Sequence, residues 1–171
     1  MKPLHLLIAI TVANHINFTG SRFVLLLYAV QQSASPATVG VLTALFSVFG
    51  ITTSVATGRW VDRVGPRQPM LVCSLLMGAA TLLAFLWPGL PAMFILSSVV
   101  GTAYNVYFIG NQLQIGRYGS AAEKVDNFSL AMQGYALGSF VAPLAAGFAI
   151  DSVGFGYTFL MLSLLPLVPT L

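Results

Sequence analysis

Polar side chains recur at helical spacing in the first apolar stretch of the chain. Four of them lie on one face and two asparagines lie on the adjoining face: Thr11, His15, Thr19 and Arg22, with Asn14 and Asn17. Imidazole, amide and guanidinium groups can hydrogen-bond a polar solute. If this stretch crosses a membrane, a charge at its centre costs roughly 2.5–3.5 kcal/mol, so Arg22 is expected to face the bundle interior or a wet cavity. The alternative is that the Arg22 side chain extends to the membrane surface.

We call such a line of polar side chains on one helical face a polar stripe. A second polar stripe lies in the fourth apolar stretch. It combines phenol hydroxyls with carboxamides: Tyr104, Tyr107, Asn111 and Gln114, with Asn105 and Gln112 beside them. Such groups offer ring stacking and neutral hydrogen bonds, which suit an organic solute better than a bare ion. The two stripes therefore predict one shared substrate cavity. Its predicted lining is Asn14, His15, Asn17, Arg22, Tyr104, Asn105, Tyr107 and Asn111.

The composition places these stripes in a membrane. The chain has 171 residues, of which 57% are hydrophobic and 6% are charged. An ordinary soluble domain carries about 25% charged residues, so this chain has too few to cover a water-facing surface. The composition excludes a soluble enzyme, a disordered tail and a nucleic-acid binder. The lone Cys73 excludes an internal disulfide.

Apolar runs between Pro, Gly and charged residues predict an all-α membrane protein with six transmembrane helices. A helix needs roughly 20 apolar residues to cross the hydrocarbon layer. All connections between the runs are short, so residues 1–171 are predicted to form a single bundle. The six predicted spans are residues 4–30, 37–57, 69–87, 91–115, 125–150 and 155–171.

The basic residues orient these spans. Six of the seven fall on one side of the membrane if the N-terminus is cytoplasmic, and none falls on the other side: Lys2, Arg59, Arg63, Arg67, Arg117 and Lys124. The positive-inside rule then places both termini in the cytoplasm. Nothing in the sequence indicates eukaryotic targeting, so the expected location is a bacterial inner membrane.

Two segments of the chain resemble each other at an offset of 89 residues. Residues 56–65 and 145–154 share five of ten positions, and Asp151 is the counterpart of Asp62. Because three spans separate the copies, they face opposite sides of the membrane. This predicts a 3+3 inverted repeat, with one repeat over about 1–87 and the other over about 91–171. The alternative is that Gly-x-x-x-Asp merely ends two unrelated helices.

Small residues follow a strict four-residue spacing in the fifth span. Gly134, Gly138, Ala142 and Ala146 form this line. Small residues let helix backbones approach closely in lipid, so the line is predicted to be a packing seam rather than a ligand site. Pro143 is expected to kink the span because it removes one backbone donor.

Two motifs resemble those of a known family. The segment from Gly58 to Arg67, with Asp62, Arg63 and Gly65 between them, resembles the loop signature G-x-x-x-D-R-x-G-x-R of the major facilitator superfamily. A second stretch, from Gly138 through Pro143 to Gly147, is similar to the span-five motif of proton-coupled drug antiporters. Alanines replace two of its glycines.

The resemblance implies the N-terminal six-helix half of a twelve-helix secondary transporter that works by alternating access. Asp62, Arg63 and Arg67 would form a charge latch that stabilises one access state, and Gly58 would permit close helix approach. The alternative is a plain positive-inside loop. A second six-helix half would be supplied in the same chain or by a dimer. The substrate would be a small molecule, with efflux favoured by the span-five motif.

Other functions remain as alternatives at this stage. A non-transporting six-span scaffold or assembly protein would share the composition, but it would need neither polar stripe. An enzyme is not expected, because the spans lack zinc-protease, nucleophile-elbow and paired-carboxylate patterns. No cofactor or metal is expected. Proton coupling through these residues would have His15 as its chief candidate.

Overall fold

The computed structural model describes residues 3–170, so Lys2 of the predicted charge pattern lies outside the described residues. All regular structure in this part of the chain is helical, in agreement with the predicted all-α class. The elements are α1 (Pro3–Gln31), α2 (Pro36–Val64), α3 (Arg67–Leu86), α4 (Leu90–Ile115), α5 (Ala121–Leu164) and a terminal 3-10 turn (Leu165–Thr170).

The described chain has five α-helical elements rather than the predicted six, because the helices on either side of Gly154 form one element, α5. The predicted boundary at residues 151–154 lies inside α5. There, Gly154 alone leaves the helical conformation, with φ 82° and ψ 172°. The sequence predicts a connection at Asp151 and its neighbours, but in the structure they are helical and directly precede this break. The last predicted span becomes the end of α5 followed by the 3-10 turn.

Helix α2 is longer than predicted. It continues through residues 58–64, which the sequence indicated as a connection, and ends at Gly65 with φ 80°. Apolar residues such as Val61, which is 1% exposed, sustain the helix over this segment. The loop between α2 and α3 is therefore limited to Gly65 and Pro66. Most of the predicted loop signature lies on the last turns of α2.

Local signals define where α2 and α5 begin. The Ser35 hydroxyl accepts a hydrogen bond from the Thr38 amide at 3.2 Å, and Pro36 occupies the first helical turn. At α5 the Ser120 amide donates to the Glu123 carboxylate at 2.7 Å, and the Glu123 amide donates back to the Ser120 hydroxyl at 3.5 Å. This reciprocal capping satisfies amides that would otherwise lack partners at the helix start.

The main helix contacts fall into two groups. Helix α1 packs mainly against α5, whereas α4 packs mainly against α2 and α3. Among the glycines, the tightest contact is at Gly101 of α4, where an added Cβ would lie 2.3 Å from the Phe46 carbonyl oxygen of α2. At Gly134 of α5 an added Cβ would lie 2.7 Å from the Val12 side chain of α1. Glycine thus permits close packing in both pairs.

The two segments that resemble each other in sequence also share a backbone conformation. Gly65 has φ 80° and ψ 161°, and Gly154 has φ 82° and ψ 172°. Both lie in a region that glycine tolerates and other residues avoid. The helical chain is interrupted at equivalent positions of the two segments.

Much of the apolar surface remains uncovered by the chain itself. Four helical segments are long and apolar enough to cross a membrane: Pro36–Val64, Arg67–Leu86, Leu90–Ile115 and Glu123–Leu167. Helix α1 is not among them, because the polar stripe lowers its hydropathy. Large apolar side chains are exposed on α2 and α5, including Ile51 at 72% and Phe140 at 69%. Such a surface requires lipid or another apolar bundle around it.

The contact at Gly101 generates a stability prediction. We expect Gly101→Ala to lower the free energy of unfolding by about 1–3 kcal/mol, because its methyl group would overlap the α2 backbone. Gly40→Ala is the matched control, since a Cβ on this exposed helical glycine meets no atom within 4 Å. Thermal unfolding of both purified variants in mild detergent measures the difference. Equal melting temperatures would contradict the close contact.

Candidate functional site

A cavity of about 570 Å³ lies among α1, α2, α4 and α5. Both polar stripes contribute to it, together with aromatic and small residues. Its lining consists of His15, Phe18, Phe46, Ser47, Gly50, Ile51, Gly101, Tyr104, Asn105, Phe108, Met132 and Tyr135. Ile51 and Met132 are exposed, so the cavity opens to the surface on their side. Of the predicted lining, the structure brings His15, Tyr104 and Asn105 together here.

His15 is the central polar group of this cavity. Its Nδ1 lies 2.5 Å from the Tyr104 hydroxyl, and its Nε2 lies 2.7 Å from the Ser139 hydroxyl. The Thr19 hydroxyl is a more distant neighbour at 3.5 Å from Nε2. Both ring nitrogens therefore have hydroxyl partners, from α4 and α5. This fixes the plane of the imidazole against the cavity wall.

Aromatic rings form a continuous wall around His15. Phe18 stacks on Tyr104 with ring centroids 4.0 Å apart and an interplanar angle of 11°. Phe46 meets the edge of Phe18 at 5.9 Å, and Tyr135 meets His15 edge-on at 5.0 Å. Such a wall presents flat apolar faces with phenol hydroxyls at its edges, which suits a planar organic molecule.

Tyr107 and Asn111 lie behind the cavity rather than on its surface. Their side chains are 1% and 0% exposed. The Thr11 hydroxyl donates to the Asn111 carbonyl oxygen at 2.8 Å, and the Asn111 amide donates to the Tyr135 hydroxyl at 2.8 Å. The Tyr107 hydroxyl lies 3.4 Å from that of Thr11. This network ties α1, α4 and α5 together and holds Tyr135 in the cavity wall.

Asn14 and Asn17 face the opposite way, into the contact with α3. Both are 0% exposed. The Ser74 hydroxyl donates to the Asn14 carbonyl oxygen at 2.7 Å. The Asn17 amide donates to the Thr81 hydroxyl at 3.2 Å and to the Leu162 carbonyl at 2.9 Å. These two predicted cavity residues thus fasten α1 to α3 and to the end of α5.

Arg22 lies at the edge of the aromatic wall. The central carbon of its guanidinium is 5.9 Å from the centroid of the Phe46 ring, a cation–π distance. The side chain is half-buried. Within residues 3–170 it has no carboxylate partner. The guanidinium therefore lies over a ring that lines the cavity, but Arg22 itself is not among the lining residues.

The signature residues at the end of α2 and the start of α3 lie on the surface at one end of the bundle. Asp62, Arg63 and Arg67 are all exposed and form no ion pair within the described part of the chain. A Cβ added at Gly58 would meet nothing within 4 Å. Arg67 borders a smaller cavity of about 250 Å³, together with Tyr107.

Similarity to a known family identifies the kind of protein that carries this cavity. Residues 7–170 match the family described as Major Facilitator Superfamily. The chain belongs to the major facilitator superfamily. No curated protein sequence matches it. As a member of this transporter family, it is a multi-pass membrane protein that moves a small-molecule solute across a lipid bilayer and is not an enzyme.

Of the span-five residues of this superfamily member, Gly134 and Gly138 lie in the contact with α1. A Cβ at Gly138 would lie 3.1 Å from the His15 ring, so this glycine leaves room for the imidazole. Pro143 lies within α5, but the helix is interrupted further along, at Gly154. A Cβ at Gly147 would meet nothing within 4 Å, and Asp151 is exposed near the break.

Sequence reasoning missed several residues of the cavity. Phe18 and Phe46 resemble ordinary core aromatics in the sequence, and Ser139 and Tyr135 lie in a span assigned to packing alone. Phe18 carries one usable signal, because it lies on the same helical face as His15 and Arg22. The others could be found only from the contacts between helices.

The α1–α3 contact generates a second stability prediction. We expect Ser74→Ala to destabilise the bundle by roughly 1–2 kcal/mol, because it removes the single hydroxyl donor that the Asn14 and Pro166 oxygens share, at 2.7 and 2.9 Å. Ser98→Ala is the control, since the Ser98 hydroxyl bonds only within its own helix. Detergent melting curves compare the two variants. A smaller loss for Ser74→Ala than for the control would refute the assignment.

Proposed function

We propose that the aromatic cavity at His15 is the substrate site of a secondary transporter that works by alternating access, and that this chain supplies its N-terminal six-span half. The observation that carries the proposal is the contact between His15 and Tyr104. These residues are 89 positions apart, which is the offset of the internal repeat. A twofold axis brings a residue near it into contact with its own counterpart. The cavity therefore lies near the twofold axis that would relate the two repeats.

The length of α5 supports two crossings by this element. Its 44 residues give roughly 50 Å of helix before the break at Gly154 and roughly 15 Å after it, at about 1.5 Å per residue, and the 3-10 turn follows. The hydrocarbon layer is about 30 Å thick, so one crossing would leave half of the apolar helix outside it. We propose that the chain turns back at Gly154. This gives six crossings in a 3+3 inverted repeat, with Gly65 and Gly154 as equivalent turns.

The exposed signature is proposed to act as a latch between two halves. Asp62, Arg63 and Arg67 lie free at the surface, and Gly58 leaves open space beside them. A carboxylate near the N-terminus of a helix from the second half would stabilise that contact by about 0.3–1 kcal/mol. Such an energy biases one access state without locking it.

The uncovered apolar faces of α2 and α5 support a second six-helix bundle, either in the same chain or as a dimer. In the proposed orientation both termini are cytoplasmic, since the described basic residues other than Arg22 lie at or near the α2–α3 and α4–α5 connections. A bacterial inner membrane is the proposed location. Efflux is the proposed direction, and it rests on the similarity of the segment from Gly138 to Gly147 to antiporter motifs.

Water accessibility tests the proposed site. Single cysteines are introduced at Phe18 and Phe108 in a Cys73→Ala background and treated with an impermeant maleimide from each side of the membrane. Alternating access predicts labelling of both positions from both sides. Asn17→Cys is the buried control and is expected to stay unlabelled. Cavity positions as unreactive as Asn17→Cys would refute a transport cavity and favour a scaffold.

The latch has a separate test. Asp62→Asn is expected to shift the ratio of labelling at Phe18→Cys between the two sides by roughly two- to fivefold, because one access state loses its ion–dipole contact. Membrane insertion should be unaffected. Asp151→Asn is the control, since this aspartate occupies the equivalent repeat position but has no arginines around it. An unchanged ratio in Asp62→Asn would eliminate the latch.

A further inference from the structure

Arg22 is a cation without a counter-ion beside the cavity. Its guanidinium lies over Phe46, whose ring also lines the cavity, and no described residue forms a hydrogen bond or ion pair with it. A charge within a membrane span is stabilised by an opposite charge or by water in a cavity. The cation–π contact alone leaves all the guanidinium donors without acceptors. The site therefore offers its donors to a partner that the described chain does not supply.

The acidic residues of the chain lie elsewhere. The sequence has four Asp and Glu residues, at positions 62, 123, 126 and 151. Asp62 is near the end of α2, sixteen residues or about 24 Å of helix beyond Phe46. Glu123 and Asp126 lie in the first turns of α5, and the exposed Asp151 lies next to the break at Gly154. None of these four carboxylates lines the cavity, whereas Arg22, although not itself a lining residue, lies against the lining residue Phe46.

The aromatic wall of the cavity favours the binding of a planar ring. Phe18 and Tyr104 are already stacked, and Phe46 and Tyr135 present their edges and faces around them. One polar group in this wall is unsatisfied. The Asn105 carbonyl oxygen is buried without a hydrogen-bond partner within residues 3–170. It would accept a hydrogen bond from a hydroxyl or amino group on a bound molecule.

From these contacts we infer that the transported solute is an aromatic organic anion. Its acidic group binds the Arg22 guanidinium, its ring packs against the wall formed by Phe18 and Phe46, and a ring donor reaches Asn105. This inference rests on the proposed function, because it needs the cavity to be wet and to hold the substrate. It goes further by assigning the sign of the charge and the shape of the molecule.

Charged thiol reagents test the sign of the potential without knowledge of the substrate. Ser47→Cys, in the Cys73→Ala background, places one thiol at the exposed rim next to Phe46. Its reaction rates with an anionic sulfonatoethyl and a cationic trimethylammonioethyl methanethiosulfonate are each divided by the rate with free 2-mercaptoethanol. We expect the anionic reagent to be favoured. Arg22→Gln should lower the normalised anion-to-cation ratio by roughly tenfold.

Two further variants make the comparison specific. Arg22→Lys keeps the charge and should keep most of the preference, so it also covers the case in which Arg22→Gln does not fold. Arg59→Gln removes a charge at the far end of α2 and should leave the ratio unchanged. The same ratio in the Arg22 and Arg22→Gln proteins would overturn the inference, as would a wild-type preference for the cationic reagent.

Failure of the inference can be distinguished from failure of the proposed function. If the thiol at position 47 reacts with neither charged reagent nor with neutral methyl methanethiosulfonate, the cavity is dry, and both proposals fail. If the thiol reacts with all three reagents without preference for charge, the transport cavity stands and only the anion assignment fails. A carboxylate supplied to Arg22 by a second half would give this second result.

Protection from labelling tests the shape of the solute. We expect millimolar 4-hydroxybenzoate to slow the reaction of Ser47→Cys with methyl methanethiosulfonate. The neutral 4-hydroxybenzamide and the non-aromatic cyclohexanecarboxylate should protect much less. Arg22→Gln should abolish the protection. Equal protection by the amide would overturn the anionic assignment, and equal protection by cyclohexanecarboxylate or none by 4-hydroxybenzoate would overturn the aromatic one.

Discussion

The arrangement of this bundle depends on where the polar side chains of α1 find partners. Hydrocarbon offers no hydrogen bonds, so each buried amide or hydroxyl must be satisfied within the protein. Although the Asn17 oxygen has no partner among the described residues, the Asn14 oxygen accepts from Ser74 and the Asn17 amide nitrogen donates to Thr81, both on α3. This fixes the rotation of α1 about its axis. Because successive residues of a helix lie about 100° apart, His15 then faces α4 and α5.

The cavity exists because small residues surround a cluster of large ones. Glycines at positions 50, 101 and 138 bring α2, α4 and α5 close to their neighbours, and Gly138 leaves space for the imidazole of His15. The aromatic rings then fill the wall but leave the centre open. These glycines thus allow close contacts with neighbouring helices around the cavity. The same packing leaves the centre of the cavity open.

The sequence predicts the helical class and most helix ends here, because apolar runs and the Pro, Gly and charged residues between them act locally. It fails at Gly58–Val64 and at Asp151, where small and charged residues indicate a loop but the backbone hydrogen bonds of the helix continue. The polar stripes were found by their spacing, yet spacing does not show which neighbour each face meets. This is why Asn14 and His15 were assigned to one site although they contact different helices. Phe46 was missed because a cavity aromatic and a core aromatic look alike in sequence.

The break at Gly154 has a consequence for biosynthesis. The proposed fifth and sixth crossings are separated by this single residue, with no slack between them. The segment before Gly154 could not lie in the bilayer while the segment after it remained in water, since the connection is too short to span the headgroup layer. In the proposed six-span topology the two segments would therefore enter the membrane together, as a helical hairpin. Lengthening this turn would let them insert one after the other.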